Sequence, residues 1–189
     1  MPLEPFESAV TPLLAELQAS ANAHDTDRHM AAYAKLPSLI FVPSVWRSGP
    51  ASMHRSPWKP FSDCRPGRLT SVRVFDAWGV WSHEGAAAWR RSVEGWFTSL
   101  GKERVKVTFE NVNILGTREL ASASAKVTYA GISAEGEPLR TMTNRISWVL
   151  RMTGHVCRIV HEHTSAPIGF EDMKAILKRA PAPRIDSRR

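Results

Sequence analysis

The 189-residue sequence lacks the features typical of secreted and membrane proteins. Its two cysteines, Cys64 and Cys157, are too few for a disulfide framework and show no C-x-x-C spacing. No apolar run approaches the roughly 18 residues needed to span a bilayer. The N-terminus MPLEPFESAV has no basic start and does not resemble a secretory signal. We therefore expect a cytoplasmic protein without a membrane partner.

Motifs for phosphate, acyl and nucleic-acid chemistry are also missing. There is no glycine-rich phosphate loop, nucleophile elbow or Cys/His triad spacing, which disfavours nucleotide hydrolysis and covalent acyl transfer. The net charge of +7 comes from 25 basic and 18 acidic residues, but much of the excess lies in the C-terminal extension. Without a zinc-finger, helix-turn-helix or RNA-recognition signature, we expect no nucleic-acid partner.

Three helices are predicted before the middle of the chain. The first begins where Thr11 precedes Pro12, because threonine caps free amides and proline suits a first helical position. The second begins at Asp25 or Thr26 and ends at Pro37. The third, capped by Ser82, carries one apolar stripe made of Trp89, Val93, Trp96, Phe97 and Leu100.

Between the second and third helices, residues 43–70 form an irregular segment. It holds five prolines, two glycines and the aromatic residues Trp46, Trp58 and Phe61. A loop of this length in a compact domain is typically a lid, an interface or disordered. A strand-like stretch, residues 71–75, follows it.

After Gly101 the apolar period changes from 3.6 to 2, which indicates strands. Alternation begins at Val105 and continues through residues 121–132, 139–152 and 155–165, with Gly116, Gly136 and Gly154 at the turns. Helices followed by an antiparallel meander predict an α+β fold with the helices on one sheet face. We expect one domain over 1–170, then a short helix over 171–178 and a basic, disordered tail to residue 189.

Two segments carry a family resemblance: AHDTDRHMAAYAK at 23–35 with Phe41 and Val42 beyond it, and RIVHEHTS at 158–165. They resemble the nuclear transport factor 2-like superfamily, especially its SnoaL-like and ketosteroid-isomerase-like members. The closing strand is usually W-x-I-V-H-x-H-x-S, and Cys157 stands here in place of the tryptophan. The likeness spans residues 8–168 and implies helices packed on a curved antiparallel sheet, a cone-shaped barrel with a pocket.

The resemblance leaves the chemistry open, because members include isomerases, dehydratases, cyclases, epoxide hydrolases and non-catalytic association domains. The proline-rich segment 43–70 departs from the short turn of the relatives. Our main hypothesis is a cofactor-free isomerase, dehydratase or cyclase that uses general acid–base catalysis on a small hydrophobic or aromatic molecule. The alternative is a non-catalytic ligand-binding or association module. The resemblance also implies a homodimer formed through the sheet.

Histidines of the closing strand are the first catalytic candidates. His161 and His163 are two residues apart, so regular alternation places both on the face of Cys157 and Ile159 and places Glu162 on the other. Histidine shuttles protons near neutral pH. The competing interpretation is that both are hydrogen-bonded structural residues. His-x-His also supplies two metal ligands, but zinc needs about four groups, so we expect no metal.

The second helix and the start of the third add candidates. Tyr33 and Asp27 would supply a proton donor and a base, although an aspartate there also caps or complements the helix start. His83 is either a base at the pocket mouth or part of the helix start. Arg145 is a possible anion clamp, although its strand parity opposes this role. The aromatic residues expected to form the ligand walls, with interface packing as the alternative, are Trp46, Trp78, Trp81, Trp89, Tyr129 and Trp148.

Overall fold

A computed structural model describes residues 4–34, 72–117, 119–154 and 156–178. These ranges belong to one compact unit that contains three helices and six strands. The expected loop over 43–70, with Trp46, and the tail beyond residue 178 lie outside the described residues. The α+β class is confirmed, but two short strands come between the second and third helices.

The first helix, α1, spans Glu4–Asn22, so the predicted start at Thr11 is wrong. Pro12 lies inside the helix, where its missing N–H removes only one backbone hydrogen bond. Buried residues lie on both sides of that position and hold the helix across it: Val10 before Pro12, and Leu13, Leu14 and Leu17 after it. Its last residue, Asn22, accepts a hydrogen bond from the Val107 amide at 3.2 Å, which fixes α1 to the third strand.

The second helix, α2, spans Thr26–Ala31 and is shorter than predicted. Asp25 caps it, as expected, by accepting a hydrogen bond from the Arg28 amide at 3.0 Å. The chain then leaves the helix, and Tyr33 forms a parallel bridge with Ile159 of the last strand. Tyr33 is therefore held by the sheet, just beyond the end of α2.

The short strands β1, Arg73–Phe75, and β2, His83–Glu84, pair antiparallel and precede α3, Ala86–Leu100. The prediction that Ser82 caps α3 is wrong. Gly85 is the N-cap, with φ of 88°, a backbone conformation that favours glycine. The predicted apolar stripe is correct for Trp89, Val93, Phe97 and Leu100, which are all buried.

Four long strands form the meander: β3, Arg104–Gly116; β4, Leu120–Ile132; β5, Pro138–Thr153; and β6, Val156–Ser165. The strand order is β2-β1-β6-β5-β4-β3, and only β1 and β6 run parallel. In the described residues the sheet is open, with β2 and β3 at its edges, so no closed barrel is formed. Irregularities in register interrupt the β3–β4, β4–β5 and β5–β6 pairs.

The β5–β6 irregularity changes which side chains of β6 face inward. Val149 pairs with His161 and Leu150 pairs with Ile159, so Val160 is an extra residue in β6. A bulge of this kind shifts the two-residue alternation by one. After it, Glu162 faces the same side as Ile159, opposite Trp148, and is buried.

The C-terminal prediction also needs correction. Residues 171–178 do not form a helix: Ile168 and Ala175 are bridged, and the Gly169 amide donates to the Lys174 carbonyl at 2.8 Å. The Thr143 amide donates to the Leu177 carbonyl at 2.9 Å, so this turn extends along β5 beyond the end of β6. Backbone hydrogen bonding to the free edge of β5 therefore takes the place of the helix predicted over residues 171–178.

Candidate functional site

The concave side of the sheet and the helices enclose a cavity of about 760 Å³. Its wall is mainly apolar and aromatic. The aromatic side chains that line it are Tyr33, Trp78, Trp89, Trp96, Phe109, Tyr129 and Trp148. The volume falls within the range of small-molecule sites, and a few polar groups converge on it.

The central polar group is the carboxyl of Glu162, which is buried in the cavity wall. Its Oε2 accepts a hydrogen bond from the Tyr33 hydroxyl at 2.7 Å and another from Trp148 Nε1 at 2.9 Å. Each partner is placed by the backbone, because Tyr33 bridges β6 and Trp148 lies opposite Glu162 on β5. Within the described part of the chain, Oε1 accepts no hydrogen bond, so one carboxyl oxygen is available to a ligand.

Burial raises the pKa of Glu162 to about 7, because the low-dielectric wall disfavours the charged form. The donors Tyr33 and Trp148 partly counter this, while the negative charge of Asp76 adds to it. Burial and the nearby Glu162 carboxyl likewise raise the pKa of the Tyr33 phenol well above its usual value. Tyr33 is therefore a proton-bearing donor at neutral pH, and Glu162 is close to half-ionised.

A second polar group follows Glu162 on the same face of β6. Thr164 Oγ1 donates to Asp76 Oδ1 at 2.9 Å and accepts from the Ala77 amide at 2.8 Å. Both Asp76 and Thr164 line the cavity. These bonds join the end of β1 to β6 and place a second carboxylate near the first.

His29 of α2 is also part of the cavity wall. Its Nδ1 lies 3.2 Å from Ser20 Oγ, and this hydroxyl is also 3.1 Å from the Leu17 carbonyl. Burial lowers the pKa of His29 to about 4. This histidine is therefore neutral at physiological pH.

Two buried polar groups of the wall have an atom without a hydrogen-bond partner among the described residues. They are Trp89 Nε1, a donor, and Asn144 Oδ1, an acceptor. Trp89 packs edge-on against Tyr33, with ring centroids 6.2 Å apart. Unpaired buried polar atoms are rare in folded proteins and are often completed by a ligand or water.

The structure brings five of the sequence-predicted site residues to this cavity: Tyr33, Trp78, Trp89, Tyr129 and Trp148. Trp81 is 96% exposed and is not part of the wall. Trp46 lies outside the described residues. His83 is half-buried beside Trp89, with ring centroids 5.2 Å apart, and is not among the wall residues.

The placement predicted for the closing-strand histidines is wrong. His161 and His163 lie on the outer face of the sheet, where both rings pack edge-on against Phe75. His161 Nδ1 also contacts the Arg73 carbonyl at 2.9 Å, and His163 is exposed. The bulge at Val160 is the physical reason, since it exchanges the two faces of β6 beyond that residue.

Asp27 and Arg145 are likewise outside the cavity. Asp27 is exposed and forms an ion pair with Arg90. Arg145 is exposed on the outer face, beside Lys126 and His163 in a shallow depression. The strand parity had opposed a pocket role for Arg145, and the structure agrees with that argument.

Sequence reasoning missed Glu162, Asp76, Thr164 and Asn144. Two signals in the sequence point to them. The adjacent apolar pair Ile159 and Val160, both buried, interrupts the alternation of β6. Asn144 is the one polar residue in the inward-facing series Met142, Asn144, Ile146, Trp148.

Two further findings concern metals and membranes. Within the described ranges, no three His, Cys, Asp or Glu side chains are grouped in a way that could hold a metal ion. No helix of this part of the chain is long and apolar enough to cross a membrane.

Comparison with known proteins identifies the fold family. The family model of a SnoaL-like domain matches residues 71–169, just over half of the chain. No curated protein matches.

Solved structures resemble most of the chain. An NTF2-like protein of unknown function from Pseudomonas putida is 17% identical, with a TM-score of 0.64 over 93% of this chain and 96% of that one. Aln2 from Streptomyces sp. is 13% identical, with a TM-score of 0.62 over 87% and 92%. A putative dehydratase from Streptomyces avermitilis is 12% identical, with a TM-score of 0.58 over 86% and 96%. At these identities the likeness establishes the fold alone.

Proposed function

The chain belongs to the SnoaL-like domain family, and from that premise we propose that it is a cofactor-free enzyme of the isomerase or dehydratase type. Glu162 is the proton-transfer group, and the ligand is a small hydrophobic molecule held by the aromatic wall. The observation that carries the proposal is the buried Glu162 carboxyl in the cavity wall, whose Oε2 is bound by two donors while Oε1 accepts no hydrogen bond from the described residues.

The proposed chemistry follows from the two carboxyl oxygens. Oε1 takes a proton from a carbon next to a carbonyl or leaving group of the ligand, while Oε2 stays bound to Tyr33 and Trp148. A base whose pKa lies near the working pH both accepts and returns a proton efficiently. The same group can therefore return the proton to another carbon, which is isomerisation, or deliver it to a β-hydroxyl that leaves as water while the C=C bond forms, which is dehydration.

Negative charge that develops on the ligand needs a donor in the same cavity. The Trp89 Nε1–H is buried in the wall near the Tyr33 hydroxyl, whose pKa it lowers, and forms no hydrogen bond of normal geometry with the described residues. It is the group available to bind a developing enolate oxygen. Neither step requires a metal or an organic cofactor.

A binding module without catalysis is the second candidate. The observation in its favour is that Glu162 already accepts two hydrogen bonds from the wall, as a structural carboxylate would. Such a module would hold the same hydrophobic ligand unchanged.

The test begins with native mass spectrometry of the purified protein to identify a bound molecule. That molecule is then incubated with the protein in D₂O. Conversion, or deuterium uptake at carbon that disappears in Glu162→Gln, supports the enzyme. Binding without either outcome refutes it and favours the binding module.

We also propose a homodimer that pairs through the outer face of the sheet. This face is polar in β4 and β5, where Ser124, Lys126, Arg145 and Ser147 are exposed or half-buried. The interface is therefore expected to be hydrogen-bonded and to bury roughly 800 Å² per partner. Light scattering that gives a monomer mass at micromolar concentration would contradict it.

A further inference from the structure

Asn144 is a polar residue in an apolar part of the cavity wall. It is 3% exposed, lies opposite Val127 of β4, and precedes Ile146 on the same face of β5. Its Oδ1 is buried and has no hydrogen-bond partner within the described residues. Nothing in the fold described above uses this carboxamide.

Leaving a buried amide unpaired is costly, whereas an apolar side chain of similar shape costs nothing of this kind. Val127 and Ile146 are fully or almost fully buried, so an apolar residue would suit position 144 equally well. An asparagine that lines a ligand-sized cavity, with a side-chain oxygen that has no partner among the described residues, is explained by a partner that arrives with the ligand.

The position of Asn144 relative to Glu162 sets the length of that ligand. Glu162 lies directly opposite Trp148 on the neighbouring strand, and Trp148 is four residues beyond Asn144 on β5. Four residues of a strand span about 13 Å. The two polar groups therefore lie at well-separated points of one wall, with Ile146 between them.

We propose that Asn144 is a specificity-determining residue that binds a hydroxyl group of the ligand. A hydroxyl both donates and accepts, so it satisfies the carboxamide in either orientation of its oxygen and nitrogen. The ligand class is then an elongated apolar molecule with one oxygen function near Glu162 and a hydroxyl at its far end. This inference rests on the cavity being the ligand site of the proposed function.

The first test compares two rigid probes, 4,4′-dihydroxybiphenyl and 4-hydroxybiphenyl, by isothermal titration calorimetry. The wild-type chain should prefer the diol by roughly tenfold, the usual effect of one additional hydrogen bond. In Asn144→Leu this preference should disappear. Asn113→Leu, at an exposed position of β3, is the matched control and should keep the preference.

The second test needs no ligand. If the carboxamide has no internal partner, Asn144→Leu should raise the melting temperature of the free protein. A structural asparagine would give the opposite result, because its lost hydrogen bonds would leave partners unpaired.

Any of three results overturns the inference: equal diol preference in wild type and Asn144→Leu, a lower melting temperature of this variant, or no binding of either probe by wild type. A failure of the proposed enzyme function would give a result different from these three. If the diol is preferred but no proton exchange or turnover depends on Glu162, the enzyme proposal fails and the role of Asn144 stands.

Discussion

The two faces of β6 beyond Val160 carry titratable side chains in opposite surroundings. On the inner face, the carboxyl of Glu162 is buried among Tyr33 and Trp148, and burial raises its pKa to about 7. On the outer face, His161 and His163 pack against Phe75 at the protein surface. Histidine is ordinarily the side chain that titrates near neutrality. Here burial brings a glutamate into the same pH range, because the low-dielectric wall disfavours its charged form.

The largest contrast is expected in turnover. Glu162→Gln keeps the shape of the side chain but removes its ionisation, so turnover of the identified substrate should fall about 10²- to 10⁴-fold. His163→Gln, on the outer face, should change turnover by less than about twofold. Steady-state kinetics of both variants measures this contrast. Equal losses of turnover in Glu162→Gln and His163→Gln would contradict the role given to Glu162.

The next contrast is the pH dependence of stability. The folded pKa of Glu162 lies above its usual value of 4.5, so the native state holds this proton more tightly than the unfolded chain does. This tighter proton binding contributes fully to the free energy of unfolding below about pH 4.5, and the contribution is lost as the pH rises through 7. Wild type should therefore lose about 3 kcal/mol relative to Glu162→Gln between pH 4.5 and pH 8. Urea unfolding at both values measures the difference, and parallel curves for the two proteins would contradict it.

His29 should show the opposite dependence. Its folded pKa, about 4, lies below its usual value of 6.5, so the native state binds this proton less tightly than the unfolded chain. Stability is complete above about pH 6.5 and should fall by about 3 kcal/mol as the pH drops through 4. In His29→Phe this loss should be absent. Unfolding free energies measured at pH 7 and pH 4 test this loss. Both proteins should carry Glu162→Gln, so that the pH dependence caused by Glu162 is absent from the comparison.

A smaller effect is expected from the donor to the carboxylate. Tyr33→Phe removes one hydrogen bond that favours ionised Glu162, so the pKa of Glu162 should rise further. The variant should be destabilised by about 1–3 kcal/mol at pH 8 and by less at pH 5. A ¹³C NMR titration of the glutamate carboxyl groups measures the pKa directly. An unchanged or lower value would show that Tyr33 does not hold this carboxylate.

The smallest effect is expected on the outer face. His163→Gln should change the unfolding free energy by no more than about 0.5 kcal/mol, since the ring is exposed and packs only against Phe75 among the described aromatic residues. Thermal unfolding at pH 7 provides the measurement. A loss of several kcal/mol would make His163 a structural residue of the strand.

The sequence alone was sufficient for much of the fold. Hydrophobic periodicity predicted α3, the four long strands and their turns, because each depends on local alternation and glycine positions. It failed at α1, where Pro12 suggested a helix start, because burial of the leucine stripe outweighs one missing hydrogen bond. It failed again at residues 171–178, where pairing with β5 replaces a local helix.

The candidate site was determined partly by the sequence and partly by tertiary structure. Periodicity placed Trp89, Tyr129 and Trp148 on inward-facing positions of regular segments, and the family resemblance implied that such positions line a pocket. Which polar side chain of RIVHEHTS enters that wall was decided only by the pairing of β6 with β5. One extra residue at Val160 reverses the faces of the strand. The apolar pair Ile159 and Val160 signals a break in the alternation, but only the pairing with β5 shows which residue is extra. Burial then decides the chemistry, because the pKa of Glu162 depends on the wall that surrounds it and not on its neighbours in the chain.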